Sequence, residues 1–212
     1  MADAKPSCRL YLQVPALLTA KLEAQLTQAL ADTSAACVSL CNIDQQADKM
    51  HLDRLLDSVQ AAGIACLIEN DVACAERLGA DGVHIPADAE LYRRARASLG
   101  EDANIGALCG LNRHDAMTLA EMGANYVAYG PTTAEDIDVD AINQCAELIA
   151  WWSEIFTVPC VAWNIDDAEH AARFARLGAD FVAPSRTICQ DDDAACLIAA
   201  IDDAIRHVRR AA

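Results

Sequence analysis

The chain has 212 residues, 54% of them hydrophobic, with a formal charge of −16 and only three lysines, Lys5, Lys21 and Lys49. That hydrophobic content excludes a disordered chain, and the length suits one domain with a large core. The strong negative field repels nucleic acid and anionic membrane surfaces, so neither is expected as a partner. An anionic substrate needs a local basic or backbone-amide site to overcome that field. The plainer reading of the acidity is solubility or an adaptation to salt.

No apolar run approaches a membrane span, and the segment Met1 to Pro6 has no signal-peptide h-region. A soluble, cytoplasmic protein is expected. The ten cysteines include no C-x-x-C pair. Most fall in apolar runs (Cys37, Cys41, Cys66, Cys109, Cys160), where they read as small hydrophobes in a reducing compartment.

In chain order, Cys8 to Val14 predicts a first strand, stopped by Pro15. Thr19 caps a helix through Ala31, with Leu22, Leu26 and Leu30 on one face. Ala35 to Cys41 is the second strand. Asp48 starts a helix striped by Leu52, Leu55, Leu56 and Val59, ended by Gly63. Ile64 to Ile68 is the third strand, and Asp71 opens a short helix ending at Gly79. Gly82 to Ile85 is the fourth strand, followed by a helix capped by Asp88. Ile105 to Cys109 is the fifth, followed by a helix from Asn112 to Gly123.

Tyr126 to Tyr129 is the sixth strand. The acidic loop after it, residues 132–138, is the longest stretch without structure, and long loops on such scaffolds often serve as lids. A long helix follows, from about Val139 to Phe156. Pro159 to Trp163 is the seventh strand, followed by a helix capped by Asp166 or Asp167. Phe181 to Ala183 is the eighth. The last helix spans roughly Asp193 to Arg209, with basic residues at its end that suit the macrodipole.

One joint recurs: Gly79-Ala80-Asp81-Gly82-Val83, Gly123-Ala124-Asn125-Tyr126-Val127 and Gly178-Ala179-Asp180-Phe181-Val182. Each copy ends a helix with glycine and opens a buried strand. Val59-Gln60-Ala61-Ala62-Gly63-Ile64 is a looser fourth copy. Eight strand–helix units in this length predict a single-domain (β/α)8 TIM barrel with right-handed crossovers. The main alternative is an open doubly wound sheet.

Active sites of such barrels lie at the C-terminal ends of the strands, and that rule selects the candidates. Asp71 and Asp88 are candidate Mg2+ ligands from neighbouring loops, with Asn70 beside the first; both acids also read as helix caps. His84 lies near the end of the fourth strand, as a buried structural histidine or as an acid or base. His114 lies just after the fifth strand, facing the mouth or stabilising its loop. Ser185 and Arg186 follow the eighth strand, where loops often hold phosphate; a surface salt bridge is the alternative. Asn164 adds a contact from the seventh strand, and Arg113 is a weaker anion contact. On the long helix, Ile142, Ile149, Trp152 and Phe156 suit the core. Leu148, Trp151 and Ile155 widen the apolar band in a way that hints at a subunit contact.

Taken in order, Asn70-Asp71, the joint through His84-Ile85, Gly110 to His114, Gly123 to Val127, Gly130-Pro131 and Leu177 to Val182 resemble the thiamine-phosphate synthase family, which includes the TenI-type proteins. The likeness covers most of the chain from Ala35 onward. It implies a barrel, usually a homodimer, that joins a phosphorylated thiazole to a pyrimidine diphosphate with Mg2+ and releases pyrophosphate. It also implies that Asp71 is a Mg2+ ligand with Asn70 as its partner, and that Asp88 stands one place early for the second metal aspartate. Thr132 occupies a substrate-loop position.

The chain departs from the family where the diphosphate is gripped. Ser39, Cys41 and Ile43 stand at the positions of a Gln-x-Arg-x-Lys pattern. No lysine follows Thr132 and Thr133, and Trp163-Asn164-Ile165 replaces a Gly-Gly phosphate loop. A diphosphate leaving group needs concentrated positive charge, so these departures predict impaired synthase turnover. The rival expectation is a non-catalytic phosphate-ligand-binding or regulatory barrel.

Overall fold

The computed structural model describes residues 7–16, 20–43, 49–132 and 138–208. Thr19, Asp48, Thr133 and the rest of the acidic stretch through residue 137 lie outside them, and with them the two expected helix caps and most of the lid. The strands are β1 Arg9–Pro15, β2 Ala35–Cys41, β3 Ala65–Glu69, β4 Gly82–Pro86, β5 Asn104–Leu108, β6 Tyr126–Tyr129, β7 Cys160–Trp163 and β8 Phe181–Ala183. They alternate with helices α1 Ala20–Asp32, α2 Lys49–Ala61, α3 Val72–Leu78, α4 Ala89–Leu99, α5 Arg113–Glu121, α6 Val139–Ile155, α7 Ala168–Leu177 and α8 Ala194–Arg206. Each strand pairs in parallel with the next, and Leu10 of β1 pairs with Val182 of β8, closing the barrel. A short 3-10 turn over Ile188–Gln190, which the sequence reading missed, precedes α8.

Period-two alternation sorts the strand residues into two layers. Leu10, Leu12, Val38, Leu40, Ile68, Val83, Ile85, Ile105 and Val127 pack outward against the helices. Tyr11, Cys37, Leu67, Tyr126, Val161, Trp163 and Ala183 form the separate cluster that fills the barrel axis. The axis is therefore packed with aromatic rings where branched aliphatic layers are usual. Gly106 of β5 makes room for one of them: a Cβ there would fall 2.0 Å from the Tyr126 ring.

Helix starts follow the caps read from sequence, with Asp138, which the sequence reading left in the acidic loop, added to them. The side chains of Asp71, Asp88, Asn112, Asp138 and Asp167 each accept a first-turn amide. Between the two candidates for α7, Asp167 is the cap. On α6, Trp152 is buried, stacks on Phe156 with ring centroids 4.0 Å apart, and donates Nε1–H to the Val158 carbonyl at 2.7 Å. Leu148 is buried with it, Ile155 is exposed, and half-buried Trp151 lies under the Arg113 guanidinium at 4.6 Å.

The recurring joint has a common geometry. Gly79 and Gly178 take the left-handed conformation that ends α3 and α7. Two residues later, the acid or amide grips the first part of the preceding strand at two points. The Asp81 amide donates to the Cys66 carbonyl at 2.9 Å, while its Oδ2 accepts the Cys66 amide at 2.7 Å. Asn125 does the same to Ile105 at 2.8 and 2.9 Å, and Asp180 to Cys160 at 3.0 and 2.9 Å. These side chains serve the N-terminal end of the barrel.

Candidate active site

The C-terminal strand ends carry a shared backbone feature. Asn42, Asn70 and Asn164, the first residues beyond β2, β3 and β7, all have φ between 54° and 59°. Asparagine tolerates this left-handed region better than other residues with a Cβ. These asparagines therefore turn the chain sharply out of the strand, and that turn is the first role of Asn70 and Asn164. Asn70 also donates its amide to the His84 carbonyl at 2.9 Å.

Asn164 is held from both sides. Its Nδ2 donates to the Pro131 carbonyl at 2.8 Å, and its Oδ1 accepts from Gln13 Nε2 at 3.1 Å. Gln13, buried on β1, also donates to the Pro184 carbonyl at 2.8 Å. One amide pair thus ties the exits of β6, β7 and β8 to β1. Gln13 Oε1 and the Ser39 hydroxyl remain buried with no partner among the described residues.

Ser185 is buried, and the carboxylate of Asp166, on the turn after β7, takes its polar groups. The Ser185 amide donates to Oδ1 at 2.6 Å and its hydroxyl to Oδ2 at 2.7 Å. Arg186 reaches across the mouth. Its guanidinium donates to Glu69 Oε1 at 2.9 Å and to Asn42 Oδ1 at 3.1 Å, joining the exits of β8, β3 and β2. Cys41 lies beside this ion pair. Burial, then the Glu69 charge, push its thiol well above the usual range, so it stays protonated.

His84 sits on the barrel axis below these loops. Its Nδ1 is 2.7 Å from the Tyr126 hydroxyl, which is 2.9 Å from the Tyr11 hydroxyl. Its other face stacks on Trp163. Burial lowers its pKa to about 3, with the Arg186 charge adding to the shift, so the ring is neutral at physiological pH. Burial likewise raises both tyrosine hydroxyls, which stay protonated. His84 Nε2 is buried and has no partner among the described residues. A neutral imidazole with one nitrogen bound by a phenol keeps the other as a single donor or acceptor.

The remaining candidates lie outside this network. Asp71 Oδ1 accepts the Cys74 amide at 2.8 Å. Asp88 Oδ1 accepts the Glu90 and Leu91 amides at 2.8 and 2.9 Å, and these bonds hold its pKa below the usual carboxylate value. Both acids are exposed, and these cap bonds leave Oδ2 of each available to an incoming cation. Among the described residues no group of three His, Cys, Asp or Glu side chains forms a metal cage. His114 is exposed in the first turn of α5, and its amide is capped by Asn112 at 2.9 Å. Thr132 is exposed, and a Cβ on Gly110 would lie 3.6 Å from its methyl group.

Sequence reasoning missed Gln13, Glu69, Tyr11 and Tyr126. The signal for Tyr11 and Gln13 is present, since both alternate with the apolar Leu10, Leu12 and Val14. Glu69 carries no such signal, because it ends a strand that otherwise reads as an apolar run.

The chain is similar to known proteins over most of its length. Residues 10–188 match the family model for thiamine monophosphate synthase. The thiamine-phosphate synthase of Erythrobacter litoralis is 32% identical over 203 residues, covering 93% of this chain and 95% of the relative. That of Rhodospirillum centenum is 36% identical over 179 residues, covering 83% and 86%. Among solved structures, a thiamine phosphate pyrophosphorylase from Pyrococcus furiosus superposes with a TM-score of 0.73 at 18% identity, covering 92% of this chain and 95% of its own. At that identity the superposition speaks for the fold. No helix among the described residues is long and apolar enough to cross a membrane.

Proposed function

This chain belongs to the thiamine monophosphate synthase family, and on that premise we propose that its barrel mouth binds a phosphorylated thiazole and a pyrimidine diphosphate and joins them with release of pyrophosphate. Turnover is expected to be slower than in a site with the Gln-x-Arg-x-Lys anchors, because Ser39, Cys41 and Ile43 supply no cation to the leaving diphosphate. The observation that carries the reading is the unpartnered, buried Nε2 of neutral His84 beneath the strand ends. A heteroaromatic ring that displaces the Trp163 indole would meet it as the one polar contact of an otherwise apolar and aromatic column.

Mg2+ is held by one or two carboxylates together with substrate phosphates. Asp71 and Asp88, which begin the loops after the adjacent strands β3 and β4, fit that need. When bound there, the ion would supply charge to the departing pyrophosphate. Ser185 and Arg186 are the candidates for the phosphate of the thiazole in this reading. The homodimer that the family likeness implies remains part of this reading, with Trp151 and Ile155 as its candidate contact; sedimentation measures it.

A second reading is a non-catalytic barrel that binds one phosphorylated ligand. The Arg186–Glu69 ion pair favours it, since the guanidinium is already neutralised within the chain. Mixing the protein with thiazole phosphate, pyrimidine diphosphate and Mg2+ and following pyrophosphate release separates the two. The enzyme reading expects Mg2+-dependent release that drops by about 100-fold in Asp71→Asn, which keeps an oxygen for the helix cap. Calorimetric binding without release supports the binding barrel, and failure to bind either compound removes both readings.

A further inference from the structure

The Asp166 carboxylate fills the place of an anionic ligand at Ser185. Its two oxygens separately receive the Ser185 amide and hydroxyl, at 2.6 and 2.7 Å, and the Thr187 hydroxyl lies 2.5 Å from the Ser185 hydroxyl. An amide and a hydroxyl directed at two oxygens of one anion is the pattern by which loops receive phosphate.

Asp166 is free of the duty that its position suggests, because the next residue, Asp167, caps α7. Ser185 is buried whereas Asp166 is exposed, so the carboxylate is the partner able to swing into water. The neighbouring cation is not there to neutralise it, since Arg186 is turned to Glu69 and Asn42.

We propose that Asp166 is a specificity-determining residue of this end of the mouth: its carboxylate competes with a phosphate monoester for the two Ser185 donors, and a phosphorylated ligand binds only by displacing it. The idea rests on the reading that a phosphorylated molecule enters the mouth beside Ser185. Displacement leaves two negative groups side by side in a chain of formal charge −16, which sets phosphate affinity low and disfavours a second charge on the same group. Removing the carboxylate frees both donors and removes the repulsion.

The test is calorimetric titration with inorganic phosphate at constant ionic strength, on the wild-type chain, Asp166→Asn and Asp166→Ala. Circular dichroism and melting confirm that each is folded. Asp166→Asn keeps the shape and one acceptor, so it serves if the alanine variant disturbs the turn. Both folded variants are expected to bind phosphate at least about tenfold more tightly, equivalent to about 1.4 kcal/mol. Adding Ser185→Ala, which deletes the hydroxyl and keeps the amide, is expected to reduce the gain. Equal or weaker phosphate binding in the variants, no binding in any of them, or a gain undiminished by Ser185→Ala would overturn the proposal. The broader reading fails separately: the variants gain phosphate affinity as expected, yet neither the thiazole phosphate nor the pyrimidine diphosphate binds any of the proteins.

Discussion

The Trp163 indole lies flat on the His84 imidazole, with ring centroids 4.4 Å apart and planes 9° from parallel. Trp163, at the end of β7, thus places an indole over the one histidine of the axis. The stack is one part of the burial that, with the Arg186 charge beside it, keeps the ring neutral.

This has a measurable pH signature. His84 is held at a pKa of about 3 in the folded state, against the ordinary 6.5. A base depressed by folding takes up its proton in the unfolded chain first. Its contribution is therefore intact above about pH 6.5 and is lost as pH falls from there towards 3. Stability should fall by at most about 1.4 kcal/mol per pH unit in that window. Urea melts at pH 7 and pH 5 should show the loss in the wild-type chain and a flatter profile in His84→Gln. Parallel profiles would place the acid sensitivity elsewhere.

Gly106→Ala puts a methyl group where the Tyr126 ring now stands, 2.0 to 2.3 Å from three of its atoms. The ring has to move, and its bond to His84 Nδ1 goes with it. Overpacking of this kind costs about 1–3 kcal/mol. The expected result is a lower urea midpoint together with a changed His84 imidazole resonance. A variant with unchanged midpoint and resonance would mean that the axis is looser than its packing suggests.

The Asp180 side chain is needed as an acceptor, because the Cys160 amide that it receives belongs to a fully buried residue. Asp180→Ala orphans that amide and should cost about 1–3 kcal/mol. Asp180→Asn keeps an oxygen in place, as Asn125 does naturally, and should cost less than half as much. Equilibrium unfolding of the two variants makes the comparison.

Nine of the ten cysteines are buried, and Cys196 on α8 is the exposed one. Burial raises the thiols of Cys66, Cys109, Cys145 and Cys189 to about 12, which removes thiolate at neutral pH. Under native conditions, iodoacetamide should modify one site rapidly, and Cys196→Ser should abolish that phase. A second fast site would point to local opening of a strand.

Much of the fold was legible because it depends on local chemistry. The caps at Asp71, Asp88 and Asn112 and the glycine stops at Gly79 and Gly178 depend on residues within a few positions of each other. The closed eight-strand count followed from those boundaries. The site was less legible because its contacts join distant segments. Arg186 meets Asn42 across 144 positions, and Tyr11 meets Tyr126 across 115. Such pairs depend on register around the closed sheet, which no local pattern encodes. Asp166 and Asp167 are the sharpest case. They are the same residue type side by side, one capping α7 and the other receiving the amide and hydroxyl of Ser185, nineteen positions away.

The two-point grip of the Gly-Ala-Asp joints falls at every second boundary, β3 with β4, β5 with β6 and β7 with β8. The looser copy before β3 has Ala65 in the gripping position and so has no side chain to offer. The building block of this barrel is thus a pair of strands. Expressed as two pieces divided near Gly100, the chain would keep every grip within one piece or the other. Divided near Met122, it would part Asn125 from Ile105. Complementation of the first pair of fragments, and its failure in the second, would make that modularity visible in solution.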